Sequence, residues 1–170
     1  VALKSCGFRS NGFSLLRKIM EDHFGPRWHA EPYNSETTWG EVLLTPSLIY
    51  APLIVDLIKA DFELHGIAHI TGGGIADNLQ RVLKATGYGA ELDNLFRPQD
   101  FVLKVQELGA VSEEQAYRLW NMGNGMLLVV PGNQAEAVVQ FAAQHQYQAQ
   151  IVGTVHSKPE IVLHTRGQQP

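Results

Sequence analysis

A single cysteine, Cys6, stands in the chain, so no disulfide can form within it, and one lone thiol fits a reducing cytoplasm. No apolar run is long enough for a membrane span. The longest, around residues 48–58, is cut by Pro52 and Asp56 and falls well short of the ~20 residues a spanning helix needs. Positive charge is not in excess: 13 Lys and Arg face 17 Asp and Glu, for a net charge of -4, and the basic residues are scattered. The footprint of a nucleic-acid binder is therefore missing. No secretory leader is read at the N-terminus. Val1-Ala2-Leu3 begins directly in a strand-like segment with no initiator Met, as a domain from a longer protein with residues missing upstream would.

What is present is an ordinary globular composition, 170 residues with 45% apolar and 18% charged. That is enough for one domain with a real hydrophobic core and nothing that points to disorder. We read the domain as residues 1–165 and the polar end, 166–170, as a frayed tail.

Hydrophobic spacing and punctuation then order the chain. Residues 1–5 read as a strand. Phe13, Leu16, Met20 and Phe24 recur at helical intervals, which predicts an amphipathic helix over 12–24. Pro and Gly make 25–40 a loop. Thr45-Pro46 predicts a helix start, with Thr45 as N-cap and Leu44 with Ile49 as a hydrophobic staple, running to about residue 60. A strand over 64–70, a helix over 75–83, a strand over 88–93 and a helix from Pro98 to a Gly109 cap follow. Ser112-Glu113-Glu114-Gln115 is a capping box for a short helix reaching Trp120. A strand over 126–130, a helix from Asn133 to His145, and strands over 151–155 and 160–164 close the chain. Strands and helices mix without strict alternation, which predicts an α+β fold: a mixed β-sheet with helices packed on it.

The chemistry is carried by glycine-bearing turns. His69-Ile70-Thr71-Gly72-Gly73-Gly74 ends a strand and opens a helix on three consecutive glycines. Cys6-Gly7-Phe8-Arg9-Ser10-Asn11-Gly12 has a similar design. Glycine lets backbone approach a ligand without a Cβ in the way, and the N–H groups and positive dipole end of the next helix suit an anion such as a phosphate. Each turn also has a plain structural reading: close packing for the triple glycine, helix capping for Ser10 and Asn11. The glycines are not followed by Lys-Ser/Thr and do not complete the dinucleotide pattern, so neither phosphate fingerprint is met. Asn121-Met122-Gly123-Asn124-Gly125 is a third such turn, readable as a helix stop or as a wall of the same site.

Other residues weigh less. His65 and His69 share one strand face, without a third ligand for a metal. Each reads first as a hydrogen-bonded interior residue, with His69 the better site residue because it abuts the turn. Cys6 has no assigned His or Asp partner and reads as a small buried residue rather than a nucleophile. Arg17 reads as a solvated or ion-paired side chain.

Three runs in this order are more specific than any one alone. Ser10-Asn11-Gly12-Phe13-Ser14-Leu15-Leu16-Arg17-Lys18, His65-Gly66-Ile67-Ala68-His69-Ile70-Thr71-Gly72-Gly73-Gly74 and Tyr117-Arg118-Leu119-Trp120-Asn121-Met122-Gly123-Asn124-Gly125-Met126 strongly resemble the C-terminal domain of the AIR synthetase family. These are the phosphoribosylformylglycinamidine cyclo-ligases of de novo purine biosynthesis. The likeness runs from Val1 to about His164. Leu44-Thr45-Pro46-Ser47-Leu48-Ile49-Tyr50 is similar to the family's L-x-P-T-x-I-Y helix start, with Ser47 for Thr.

The resemblance implies an ATP-dependent ligase. ATP activates the formyl oxygen of formylglycinamidine ribonucleotide, and a ring nitrogen closes on that carbon to give aminoimidazole ribonucleotide, ADP and phosphate. It further implies that ATP and Mg2+ are bound mainly by an N-terminal domain absent from this chain. The full-length protein would be a cytoplasmic homodimer, and the isolated domain would be inactive. Ser10, Asn11 and Gly12 with Thr71, Gly72, Gly73 and Gly74 would hold the phosphorylated substrate, with Asn121 and Gly123 lining the same cleft and Arg9 and His69 beside it. No catalytic residue and no metal ligand is assigned on this chain, and neither membrane nor nucleic acid is a partner. Arg9 stands where the family has His; it can hold a phosphate but cannot transfer protons at neutral pH. Leu119-Trp120-Asn121 replaces Thr-Phe-Asn, and Asn124 replaces an aliphatic residue. A reading of another class is a divergent, non-catalytic phospholigand-binding or assembly module of the same superfamily.

Overall fold

The computed structural model describes residues 1–164; the tail expected over 166–170 lies outside the described residues. At the centre is a four-stranded antiparallel sheet. Its strands are β1 (Ala2–Lys4), β2 (Gly66–His69), β4 (Asn124–Val129) and β5 (Ala149–Gln150), in the spatial order β2-β4-β1-β5. A second sheet pairs β3 (Gly89–Leu92) antiparallel with β6 (Gly153–His156) and parallel with β7 (Ile161–Leu163).

Period-two alternation sends the strand side chains to two separate cores. Ala2, Ala68 and Leu127 face one layer, built from α1 (Phe13–Phe24), α4 (Gly74–Leu83), α5 (Asp100–Leu108) and α6 (Glu113–Leu119), with Ala90 and Leu92 of β3. Leu3 and Leu128 face the other, where α3 (Ala51–Lys59) contributes Leu53 and Leu57, and α7 (Ala135–Gln144) contributes Val138 and Ala142. Helices on both faces of a sheet, with a smaller mixed sheet beside them, give the α+β architecture anticipated from the sequence. Among the described residues no helix is long and apolar enough to cross a membrane.

Two local expectations are overturned. The stretch 25–40 is not all loop. Thr38 and Glu41 form a reciprocal capping box that starts α2 (Trp39–Leu43), and Trp39 is buried with Tyr33 set edge-on to it at 4.8 Å. The helix expected from Thr45-Pro46 instead begins at Ala51, with Pro52 in its first turn, the place where a missing N–H costs nothing. Thr45 bonds back to the Val42 carbonyl at 2.8 Å and so closes α2. The Pro46 and Ile49 carbonyls accept from the Cys6 thiol and the Tyr147 hydroxyl, bonds that replace a helical ladder over 45–50. Leu44 and Ile49 are 73% and 71% exposed, so no staple forms.

The sheet register slips between Leu3 and Lys4 opposite β4. That irregularity lies where β1 runs into the first glycine turn and β4 leaves the third. Bulges commonly re-aim a strand end in this way beside a site.

Candidate functional site

The first two turns meet. A Cβ built on Gly72 would lie 3.9 Å from the Asn11 Oδ1, with nothing nearer. The element that sets this approach is the C-terminal end of α6. Gly74 packs on the Tyr117 carbonyl and Gly12 on the Trp120 indole, so closely that a Cβ would come within 1.7 Å and 2.5 Å of them. Both glycines hold positive φ, +66° and +70°. They are glycines for packing and for backbone hand together. Gly72 alone of the triple opens on space.

Capping does not account for Ser10 and Asn11. Gly12 itself is the N-cap of α1, in the left-handed region and without a side-chain cap, which leaves the exposed Ser10 and half-buried Asn11 free to face a ligand. The triple-glycine turn departs from expectation in its amides. Gly73 N–H donates to the Arg118 carbonyl and Gly74 N–H to the Thr71 carbonyl, so both fix the turn. The Asp77 side chain lies so close to Gly73 that a Cβ there would stand 2.8 Å from its Oδ2, placing a carboxylate at the start of α4. The open side of the turn is Gly72, toward Asn11.

Two asparagines brace the arrangement from behind. Asn121, buried, donates to the Gly7 carbonyl at 2.6 Å and accepts from Gly123 N–H at 3.0 Å, so it ties the third turn to the first rather than presenting its amide to a cleft. Gly123 is buried at φ +85°, close against the Arg97 carbonyl. Asn78 was not anticipated. Its amide donates to the Thr71, Gly72 and Gly74 carbonyls, at 3.3, 3.3 and 2.7 Å, and its Oδ1 accepts from Thr71 Oγ1 at 3.2 Å. The signal was legible: an Asn in the buried stripe Ile75, Asn78, Leu79 of an amphipathic helix needs polar partners. Asn124, where an aliphatic residue was expected, is fully buried and satisfies both Phe96 N–H and Phe96 C=O.

Beside the turns runs a groove of about 530 Å³. Its origin is the edge of the sheet. Ile67 and His69 of β2 point to the face that α3 and α7 cover, but lie beyond the cover. With Met126 they line one side, and Leu48, Ile49, Tyr50 and Ile54 line another. Arg9 lines it too, at φ +62°, with its guanidinium carbon 5.4 Å from the Tyr50 ring centroid. Its buried Nη1 has no hydrogen-bond partner among the described residues. Partial desolvation against the groove, then the Arg9 charge, holds the His69 imidazole below its ordinary pKa. Burial pushes the Tyr50 phenol up to about 12, against the opposing pull of Arg9.

The remaining residues take their plainer roles, with one correction. Neither histidine is interior: both are exposed, His65 3.7 Å from Glu63 and His69 on the groove. Arg17 pairs with Glu21 at 3.7 Å on the exposed face of α1. Cys6 is half-buried, its thiol donating to the Pro46 carbonyl at 3.1 Å. Among the described residues, no three His, Cys, Asp or Glu side chains gather as a metal-binding group.

A family model described as AIR synthase related protein, C-terminal domain, matches residues 1–166. The chain is similar to phosphoribosylformylglycinamidine cyclo-ligases from Methanopyrus kandleri (39% identical, covering 99% of this chain and 47% of the relative), Gloeobacter violaceus (37%, 91% and 45%) and Magnetococcus marinus (38%, 94% and 44%). It thus spans about half the length of these curated relatives. With the family model matched almost end to end, the chain belongs to the AIR synthase related proteins, as their C-terminal domain.

Proposed function

We propose that this chain is the C-terminal half of an ATP-dependent phosphoribosylformylglycinamidine cyclo-ligase, and that it holds the phosphorylated ribonucleotide while the imidazole ring closes. The observation that carries this reading is the approach of Gly72 to Asn11, with Ser10 and Asn11 released from capping and the Arg9 cation close by. The matched relatives, which bear the cyclo-ligase name, support it.

When bound, ATP would supply the phosphoryl group that activates the formyl oxygen, and Mg2+ would neutralise the charge on its phosphates. The residues here do not offer them a prepared seat. No metal-binding cluster forms among the described residues, and the Asp77 carboxylate already stands at the start of α4. We therefore assign both to the half that precedes this domain in the family, and from the family alone infer a full-length homodimer in a cytoplasmic setting.

What this chain supplies is position and charge. A phosphate between the two turns takes hydrogen bonds from the Ser10 hydroxyl, the Asn11 amide and the backbone at Gly72, and an ionic contact from Arg9, whose planar fork suits phosphate oxygens. His69, with its pKa lowered, is neutral at pH 7 and accepts a hydrogen bond or a proton, which Arg9 cannot. Fixing the substrate's phosphate end in this way lowers the entropic part of the barrier to ring closure.

The test is Asn11→Asp in the full-length enzyme, which places a carboxylate in the anion site. Release of ADP dependent on formylglycinamidine ribonucleotide should be abolished, with the thermal midpoint unchanged. Turnover at the parental rate would remove the first turn from the site. Ribonucleotide binding without any ADP release in the parent protein would favour the non-catalytic module instead.

A further inference from the structure

We propose that Tyr50 is a positioning residue for the anion site: its ring holds the Arg9 guanidinium against the groove with its charge left uncancelled. The inference rests on the phosphate-binding reading above and extends it to a residue outside the three glycine turns.

The ring is itself rigidly held. Tyr50 is 3% exposed, and its hydroxyl donates to the Lys4 carbonyl at 2.8 Å. Gly125 makes room for it, since a Cβ there would come within 1.9 Å of the phenol oxygen. The residue before it is pinned as well, by the Tyr147 hydroxyl on the Ile49 carbonyl at 2.7 Å. Strand, turn and helix start therefore converge on one aromatic face, and Arg9 stands over that face at 5.4 Å.

The chemistry of the pair is selective. A carboxylate in place of Tyr50 would hold Arg9 more strongly but would neutralise it. An aliphatic residue would leave the guanidinium free to turn into water. A tyrosine ring attracts the cation through its quadrupole, and its phenol is neutral at pH 7, as any tyrosine is, with burial moving ionisation still further away. Among the described residues no carboxylate pairs with Arg9, and its buried Nη1 has no hydrogen-bond partner. The left-handed backbone at Arg9, φ +62°, is a conformation a non-glycine residue keeps only where its surroundings impose it. Here Arg9 sits in the wall of the groove.

The experiment uses the chain with Tyr50→Leu, Tyr50→Phe, Arg9→Gln and the Tyr50→Leu/Arg9→Gln pair. Each is titrated with ribose 5-phosphate, and the His69 imidazole pKa is followed by NMR in the same samples. A positioning role gives a loss of about 3- to 30-fold in affinity for Tyr50→Leu and stays within about twofold for Tyr50→Phe. It also gives no further loss from Tyr50→Leu once Arg9 is gone. The His69 pKa rises in Tyr50→Leu as it does in Arg9→Gln, because the same charge has left its neighbourhood, and it holds in Tyr50→Phe. Losses that add on the Arg9→Gln background, or a His69 pKa that moves with Arg9→Gln but not with Tyr50→Leu, overturn the proposal. If ribose 5-phosphate does not bind the parent chain, the phosphate reading falls, and the His69 titration still decides the Tyr50–Arg9 relationship. Should Tyr50→Leu fail to fold, relaxation of the Arg9 Nε–Hε group in the unaltered chain decides instead. An ordered group supports the proposal, and one as mobile as that of exposed Arg17 overturns it.

Discussion

The Tyr117 carbonyl of α6 packs directly on Gly74: a Cβ at position 74 would stand 1.7 Å from that oxygen, on a backbone at φ +66°. Three residues further on, the Trp120 indole at the same helix end presses on Gly12. The spacing between the first two glycine turns is therefore set by a helix that belongs to neither of them.

Gly74→Ala and Gly72→Ala should separate packing from binding. At 74 the clash and the left-handed backbone act together, and we expect a loss of about 3 kcal/mol or more, read from urea denaturation. At 72 a methyl group meets only the Asn11 side chain at 3.9 Å, so stability should change by less than about 1 kcal/mol. Ribose 5-phosphate affinity should fall all the same, because the methyl enters the space between the turns. A destabilised Gly72→Ala with unchanged affinity would reverse the roles assigned to the two glycines.

Asparagines at 11 and 121 offer a second separation. Asn121→Ala leaves the buried Gly123 N–H without its partner, a cost of about 1–3 kcal/mol, and leaves the Gly7 carbonyl only the Ser5 hydroxyl at 3.0 Å. Asn11→Ala removes no capping bond and should leave the unfolding midpoint in place while weakening phosphate binding. Equal stability losses in both would mean that Asn11 is structural.

Much of this was legible from residue order, and what was not has a common cause. The Ser112 capping box, the amphipathic α1 and the left-handed glycines are local features, decided by neighbours within a few residues. The helix expected at Thr45-Pro46 failed because the alternatives to its backbone ladder come from far away, Cys6 and Tyr147. The Thr38 box was hidden among Gly25, Pro32 and Gly40, whose punctuation outweighed it. At the site, the turns could be read as turns, but their meeting depends on α6, and the pairing of Arg9 with Tyr50 depends on the gap that Gly125 leaves. Both are contacts between segments distant in sequence, which periodicity does not encode.

The α6 cap should influence the site only through stability. Ser112 and Gln115 exchange hydrogen bonds at the helix start, 3.2 and 3.4 Å long. Ser112→Ala should cost about 1 kcal/mol, seen as a lower urea midpoint with an unchanged slope. Well below that midpoint, phosphate affinity should equal the parent's, since the end of α6 that touches Gly12 and Gly74 is held by its own packing. A matching loss of affinity would show that fraying at one end of α6 reaches the other.

The pH dependence of stability should carry the mark of His69. Its imidazole is held below the ordinary value by partial desolvation first and by Arg9 second. Between the lowered folded value and the ordinary unfolded value near 6.5, the unfolded chain binds more protons than the folded one. Stability therefore falls as pH drops through that window, and this contribution is level above it. Arg9→Gln removes the second cause, so the folded value should rise and the acid-side loss attributable to His69 should shrink. Urea unfolding of the parent, Arg9→Gln and His69→Gln chains at pH 5.5 and 7.5 measures this directly. The parent should lose the most stability between the two conditions, Arg9→Gln less, and His69→Gln least. A parent and a His69→Gln chain with the same pH dependence would show that the imidazole is not burdened by its neighbours, and the electrostatic link between Arg9 and His69 would fall with it.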